Sequence, residues 1–183
     1  MNPRAPRQPQ RIAVLGAEST GKTTLARALT QQLDGLLVPE YLREFCHTHG
    51  RPPLRQEQAT IAAEQIRREQ QAMQAALQQG KAWVICDPGP LMTAIYSQHY
   101  FDDASLLPVA LDWQRGYAVT LVCQPDIAWE PDGFLRDGPQ VRAQVQELMH
   151  GILDAHGLPW HPVHGQESQR TAHALNILQA NRP

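Results

Sequence analysis

The sequence predicts an α/β domain of the phosphate-loop type, a mainly parallel sheet flanked by helices. Three observations carry this. Short apolar runs of strand length alternate with helical segments through the chain. Gly16-Ala17-Glu18-Ser19-Thr20-Gly21-Lys22-Thr23-Thr24 fits G-x-x-x-x-G-K-[ST] at every required position. That stretch lies between a buried-strand run, Arg11-Ile12-Ala13-Val14-Leu15, and the helical opening Leu25-Ala26-Arg27-Ala28-Leu29. Strand, glycine loop and helix in that order are what the motif needs.

In such a loop the glycines let the backbone wrap so that successive N–H groups face a polyphosphate, and the helix N-terminus adds partial positive charge. Lys22 is expected to reach the β- and γ-phosphates of ATP, and the Thr23 hydroxyl to ligate the Mg²⁺ that rides on them. Gly16, Glu18, Ser19, Thr20, Gly21 and Thr24 complete the expected nucleotide-binding set. A glycine turn that binds nothing is the bland alternative, and the intact flanks weigh against it.

The 183 residues suit one domain with a substantial core, residues 11–183, after a Pro- and Arg-containing lead-in over 1–10 that reads as disordered. A net charge of −2 and a pI of about 6.4 leave no electrostatic footprint for nucleic acid or an anionic membrane. Cys46, Cys86 and Cys123 are scattered, with no C-x-x-C pair, and read as the reduced thiols of a cytoplasmic protein. No apolar run has transmembrane length, and the N-terminus has no apolar core of a secretory signal. The expected partner is therefore a small molecule.

In chain order, the first helix should reach about Leu33, where Asp34-Gly35 is a stop signal. Leu36-Leu37-Val38 reads as a second, fully apolar strand. Pro39-Glu40-Tyr41-Leu42-Arg43-Glu44-Phe45 then places a carboxylate, an aromatic ring and a guanidinium just beyond its C-terminal end, the edge where open α/β sheets bind ligands. Gly50 to Pro53 is a break. Leu54 to Gln79 reads as a long glutamine-rich helix with one modest buried stripe, Ala59, Ala62, Ile66, Met73 and Leu77. Ala82 to Cys86 is a third strand, closed by Asp87-Pro88-Gly89-Pro90. Helices are expected over about 91–99 and 104–113, and a fourth strand over 118–122. Gln124 to Gly138, with two prolines and two glycines, is the candidate mobile lid. Gln140 to His156 reads as a helix burying Val141, Val145, Leu148, Ile152 and Leu153. Trp160 to Val163 is a fifth strand, and Gln169 to Ala180 a closing helix.

Several residues are candidates for chemistry. Asp87, ending the third strand, is placed either to hold Mg²⁺ or to take a proton from an acceptor hydroxyl; an Asp that only shapes the turn before Pro88 is the alternative. Glu40, at the neighbouring strand tip, is placed to face the same cleft, where general-base help is worth about a hundredfold to ten-thousandfold. Its alternative is an exposed helix-starting glutamate that suits the helix dipole. Arg43 and Glu44 either pair with each other or bind substrate. Arg136, within the candidate lid, either stabilises charge on a transferring group or is a solvated loop arginine. His47, His49, His161 and His164 have no acids or cysteines at metal-site spacing and read as ordinary histidines, although His164 follows the fifth strand where a nucleotide base could lodge. No G-x-S-x-G, H-E-x-x-H or Asn-Lys-x-Asp occurs; the last absence weighs against a Ras-type switch.

This ordered series resembles the ribosylnicotinamide kinase domain of NadR-type proteins of bacterial NAD metabolism, from about Arg11 to Ala180. The discriminating parts are Glu40-Tyr41-Leu42-Arg43-Glu44-Phe45 and the segment with Trp129 and Asp132-Gly133-Phe134-Leu135-Arg136; Asp87 and Leu158-Pro159-Trp160 complete the series. The resemblance implies a nucleoside-kinase-like fold with a five-stranded parallel core in the order 2-3-1-4-5. It also implies transfer of the γ-phosphate of ATP to the 5′-hydroxyl of nicotinamide riboside. It places Lys22 and Thr23 at phosphate and Mg²⁺, Glu40, Tyr41 and Arg43 on the substrate side, Asp87 at the reacting centre and Arg136 in the lid. Family members carry a further DNA-binding or adenylyltransferase region, which this sequence does not contain, so those activities are not expected. The family's third strand ends with two acids one residue apart, whereas the second position here is Gly89.

Two other readings stay open on the sequence. One is a kinase of a different nucleoside or of a nucleotide; a nucleotide acceptor would need further arginines, and Arg51 and Arg55 are the nearby extras. The other is an ATP-binding regulatory module that transfers no phosphate, supported only by the glutamine-rich helix.

Overall fold

The computed structural model describes residues 8–131 and 137–181. Residues 1–7 of the expected tail and the expected lid arginine, Arg136, lie outside them. Strands β1 (Gln10–Leu15), β2 (Leu36–Val38), β3 (Trp83–Cys86), β4 (Val119–Cys123) and β5 (His161–Val163) form one parallel sheet in the order β2-β3-β1-β4-β5. This is the expected order. The helices are α1 (Lys22–Gln32), α2 (Tyr41–His49), α3 (Gln58–Gln78), α4 (Pro90–Phe101), α5 (Leu107–Gln114), α6 (Pro139–Ala155) and α7 (Glu167–Ala180), with a 3₁₀ turn at Arg55–Glu57.

The strand residues alternate between two core layers, as the two-residue period of a strand demands. Ile12 and Val14 of β1, Trp83 and Ile85 of β3, and Leu121 of β4 pack with Leu25 and Leu29 of α1 and Ala174 and Leu178 of α7. Ala13 and Leu15, Val84 and Cys86, and Val122 face the other way, against Ala76, Leu91, Ile95, Met149 and Leu153. Because every strand runs in the same direction, all five C-terminal ends lie along one edge. That edge carries the residues after Leu15, Val38, Cys86, Cys123 and Val163, the candidate residues for chemistry among them.

The structure differs from the sequence reading in places. Strand β1 begins at Gln10, inside the expected tail, because its N–H donates to the Ala82 carbonyl at 2.9 Å. The long helical run is divided, with Arg55–Glu57 in a 3₁₀ turn before α3. The buried stripe of α3 is also displaced. Ala59 and Leu77 are exposed, and the buried face is Gln58, Ile61, Ala62, Gln65, Glu69 and Ala76. Hydropathy patterning misses a face of this kind because Gln65 and Glu69 find partners elsewhere in the chain.

Glu69 is the clearest case. It is fully buried and accepts hydrogen bonds from Arg11 (3.0 Å), the Trp113 indole (2.7 Å) and the Tyr117 hydroxyl (2.8 Å). The Arg11 guanidinium lies over the Trp113 and Tyr117 rings, 4.1 and 4.6 Å from their centroids. Burial pushes the Glu69 carboxyl above its ordinary range, and the three donors pull it back. Removing one partner of such a cluster leaves an uncompensated buried charge. Glu69→Ala is expected to lower stability by about 3 to 5 kcal/mol, read by chemical denaturation. A change no larger than that of an exposed α3 substitution such as Gln70→Ala would show that the cluster does not hold the fold.

Candidate active site

The chain leaves β1 at Leu15 and turns at Gly16, where φ is +148° and a Cβ would lie 2.7 Å from Thr20 Oγ1. Inside the loop the Thr20 hydroxyl donates to the Ala17 carbonyl at 2.8 Å, and Lys22 Nζ donates to the same oxygen at 2.7 Å. Gly21, in the left-handed region, is the N-cap of α1 and supplies no side-chain cap to the helix's first N–H groups. Those groups and the helix dipole make an anion site.

Three side chains that sequence reasoning missed hold this loop from outside. Gln146 of α6 accepts from the Ala17 N–H at 2.9 Å and donates to the Cys123 carbonyl at 3.2 Å. Arg170 of α7, 3% exposed, donates to the carbonyls of Thr20, Gln124 (3.0 Å) and Gly165 (2.7 Å) and pairs with Asp126. Arg142 of α6 donates to the carbonyls of Ser19 (3.4 Å) and Ile127 (3.0 Å). Neither periodicity nor a motif marks Gln146, Arg142 or Arg170, since each finds its partners only when distant loops meet.

Beside the Arg170 clamp is a cavity of about 210 Å³, bounded by Gly21 and Thr24 of the loop, Ile127 after β4, and Gln166, Glu167 and Arg170 at the start of α7. His164, the histidine singled out for contact with a base, is not among its lining residues. It lies 3.7 Å from Asp126, and its ring stacks on His173.

The two candidate carboxylates do converge. Asp87 is 2% exposed and its N–H donates to the Val38 carbonyl at 2.9 Å. Burial pushes its pKa up, while Thr23, Lys22, Arg43 and Arg27 pull it down. Its Oδ1 is buried with no hydrogen-bond partner. Glu40, N-cap of α2, is likewise raised by burial first and by Asp87, against the lowering influence of Lys22 and Arg43. The Arg43 Nε lies 3.8 Å from its Oε2. Lys22, Thr23, Glu40, Arg43 and Asp87 therefore share one electrostatic site at the sheet edge. No group of three or more His, Cys, Asp or Glu residues able to hold a metal occurs among the described residues.

Other expected residues fall differently. Glu44 is held by Arg68 in a bidentate pair at 2.6 and 2.9 Å. Tyr41 has its ring beneath the Arg68 guanidinium, 4.4 Å away, while its backbone N–H donates to Gln65 Oε1 at 2.9 Å. Glu18 and Ser19 are bonded to the segment after β4: Glu18 accepts from Trp129 Nε1 at 3.0 Å, and Ser19 Oγ from the Glu130 N–H at 3.1 Å. Tyr96 of α4, which nothing in the sequence marked, is a desolvated phenol under the influence of both Glu40 and Glu18.

Gly89, where the resembled family carries a second acid, has a steric cause. A Cβ there would sit 2.3 Å from the Tyr117 hydroxyl, the group gripped by Glu69. The buried cluster thus occupies the space that a side chain at 89 would need.

A glycine loop cradled by a helix N-terminus, with two acids at neighbouring strand ends, on a 2-3-1-4-5 parallel sheet, defines a phosphate-loop protein of nucleoside-kinase-like fold. A family model described as "AAA domain" matches residues 11–170, and the chain belongs to that family. No match is found among curated protein sequences. Among solved structures, an NadR protein in complex with NR superposes with a TM-score of 0.79 at 21% identity, covering 95% of this chain and 52% of that one. An NadR protein with NAD and AMP-PNP gives 0.76 at 19% identity, covering 95% and 49%. Thymidylate kinase from Ehrlichia chaffeensis gives 0.66 at 18%, covering 93% and 98%. At these identities the likeness is one of fold. The chain spans about half the length of the NadR chains it matches.

The Gly89–Tyr117 contact makes a direct prediction. Gly89 has an ordinary φ of −78°, so Gly89→Ala meets only the steric obstacle. It is expected to cost about 1 to 3 kcal/mol, and Tyr117→Phe should relieve roughly half of that in a double-mutant cycle. Additive effects of the two substitutions would show that the hydroxyl is not the obstacle.

Proposed function

We propose that this chain is an ATP- and Mg²⁺-dependent kinase that transfers the γ-phosphate to the 5′-hydroxyl of a nucleoside-like small molecule, with nicotinamide riboside the first acceptor to test. The observation that carries this reading is Asp87, a buried carboxylate with an unpartnered oxygen, under the electrostatic influence of Thr23 and Lys22 of the phosphate loop.

Thr23 and Asp87 fit Mg²⁺, which characteristically takes one or two carboxylates together with substrate phosphates and waters. When bound with the nucleotide, the ion neutralises charge on the β- and γ-phosphates. Lys22, released from the Ala17 carbonyl, and the first N–H groups of α1 bind the phosphates, and the cavity beside Arg170 takes the base. With Asp87 on the metal side, Glu40 orients the acceptor hydroxyl and receives its proton. Burial of both carboxylates keeps them responsive to ligand charge, since each is held above its ordinary range until cations arrive. Arg136 remains part of this proposal as the residue that stabilises the transferring group.

Supporting an unphosphorylated acceptor, Arg51 pairs with Glu57 at 2.7 Å and Arg55 with Asp103 at 2.9 Å, so the two arginines that a nucleotide acceptor would call on are engaged elsewhere. The NadR structures with NR and with AMP-PNP support the choice of acceptor and donor through fold alone. No helix among the described residues is long and apolar enough to cross a membrane, and the three cysteines are free and buried, in keeping with a cytoplasmic setting.

Incubation with ATP, Mg²⁺ and a panel of nucleosides and nucleoside monophosphates, read by mass spectrometry, tests the reading. Phosphorylated nicotinamide riboside is the expected product. A different phosphorylated nucleoside would keep the kinase and change the acceptor, whereas ATP binding with no acceptor turned over would make the chain a regulatory module.

The carboxylates separate by pH and metal. Glu40 must be ionised to accept a proton and its pKa is raised, so kcat/KM is expected to rise with pH through a limb above the ordinary value of 4.5. Glu40→Gln should flatten that limb and slow transfer by about a hundredfold or more. Asp87→Asn should instead raise the Mg²⁺ requirement. A carboxyl whose folded-state pKa is raised contributes less stability as pH rises from its unfolded value through its folded one. At neutral pH, Asp87→Asn should therefore stabilise the ligand-free protein by about 1 kcal/mol while disabling it. If neither variant slowed transfer by more than about tenfold, the site would be wrongly placed.

A further inference from the structure

Glu18 occupies a position that the phosphate-loop motif leaves open, and a carboxylate there would repel a triphosphate. It is nonetheless 9% exposed and well supplied with donors. Its Oε1 accepts from Trp129 Nε1 at 3.0 Å and from the Gly138 N–H at 3.2 Å, and its Oε2 accepts from the Asp137 N–H at 3.2 Å. The donors come from two stretches of the β4–α6 connection, one at Trp129 and the other at the N-cap of α6. The next loop residue, Ser19, takes the Glu130 N–H on its hydroxyl and Arg142 on its carbonyl. The same face of the loop is held by Gln146, one turn further along α6, through the Ala17 N–H. The side chain of Glu18 is therefore spent on the connection, and an anion that needs donors of its own cannot also serve phosphate oxygens.

We propose that Glu18 is a positioning residue: it fastens Trp129 and the start of α6 to the phosphate loop, so that the placement of Trp129 and of the α6 N-terminus follows the loop rather than varying independently of it. The physical basis is that a carboxylate accepting two backbone N–H groups and an indole N–H makes charge-assisted bonds, roughly twice as strong as neutral ones. The two backbone amides it holds are otherwise at the mouth of a helix and open to solvent competition. This inference rests on the kinase reading for its catalytic consequence but not for its structural one, and the test separates the two.

Amide hydrogen exchange at Asp137 and Gly138 reads the bonds directly, with or without catalysis. In Glu18→Ala the exchange of both should quicken about tenfold or more relative to the unaltered chain, while that of core β1 amides stays the same. Glu18→Gln keeps one acceptor oxygen and loses the charge, so its effect should fall between. Trp129→Phe, which leaves the phosphate loop intact, should loosen the same two amides to a smaller extent. Once an acceptor is in hand, kcat in Glu18→Ala should drop by about tenfold or more, with the KM for ATP moving less than about threefold. Exchange at 137 and 138 within about twofold of the unaltered chain would overturn the proposal, as would a raised KM for ATP at unchanged kcat, which would make Glu18 a nucleotide ligand. If no acceptor is ever phosphorylated, the kinase reading fails while the exchange result still decides the fastening.

Discussion

The guanidinium of Arg170 is the contact on which the rest of the site depends. It is buried, and its partners belong to three separate connections: the Thr20 carbonyl of the phosphate loop, the Gln124 carbonyl and Asp126 after β4, and the Gly165 carbonyl after β5. Parallel strands β1, β4 and β5 bring these three chain ends to one edge, but pairing within the sheet stops at the strand termini. Beyond them the backbone has lost its ladder partners and needs others. One planar cation with five N–H donors can serve several carbonyls at once, which a lysine cannot do. Asp126 offsets the desolvation of that charge and in turn accepts the Gly165 N–H at 2.8 Å, so the clamp closes on itself.

On the opposite side of β1 a second buried network does comparable work. Arg11 on β1, Glu69 on α3 and the Trp113–Tyr117 pair around the end of α5 join three elements, and Tyr117 backs onto Gly89 at the start of α4. Asp87 and Glu40, at the ends of β3 and β2, belong to neither cluster. These two acids lack comparable compensation. Burial holds both carboxyls above their ordinary range, which the cations and ligand of the proposed reaction would relieve.

A loop so braced has a functional consequence. Gln146, Arg142 and Glu18 couple the loop to α6, and Arg170 couples it to α7. In the proposed kinase, movement of the nucleotide's phosphates would therefore be felt along α6 and α7. Lys22 of the same loop is within electrostatic reach of Asp87 and Glu40, where transfer would take place.

What was legible in the sequence was whatever repeats or is local. Apolar runs marked the five strands and their order in the chain, G-x-x-x-x-G-K-T marked the anion site, and strand-end placement picked out Asp87 and Glu40, because backbone geometry, helix dipoles and strand direction act over a few residues. Tertiary structure alone decided the partners of buried polar groups. Glu69, Gln146 and Arg170 look like solvated side chains in a polar helix until residues 44 to 150 positions away supply their bonds. It also decided that Glu44 answers to Arg68, that Gly89 has no room for a side chain, and that the Glu18 carboxylate accepts from Trp129 and from the amides of Asp137 and Gly138. Burial can be guessed from composition, but a hydrogen bond between distant residues exists only once the chain has closed.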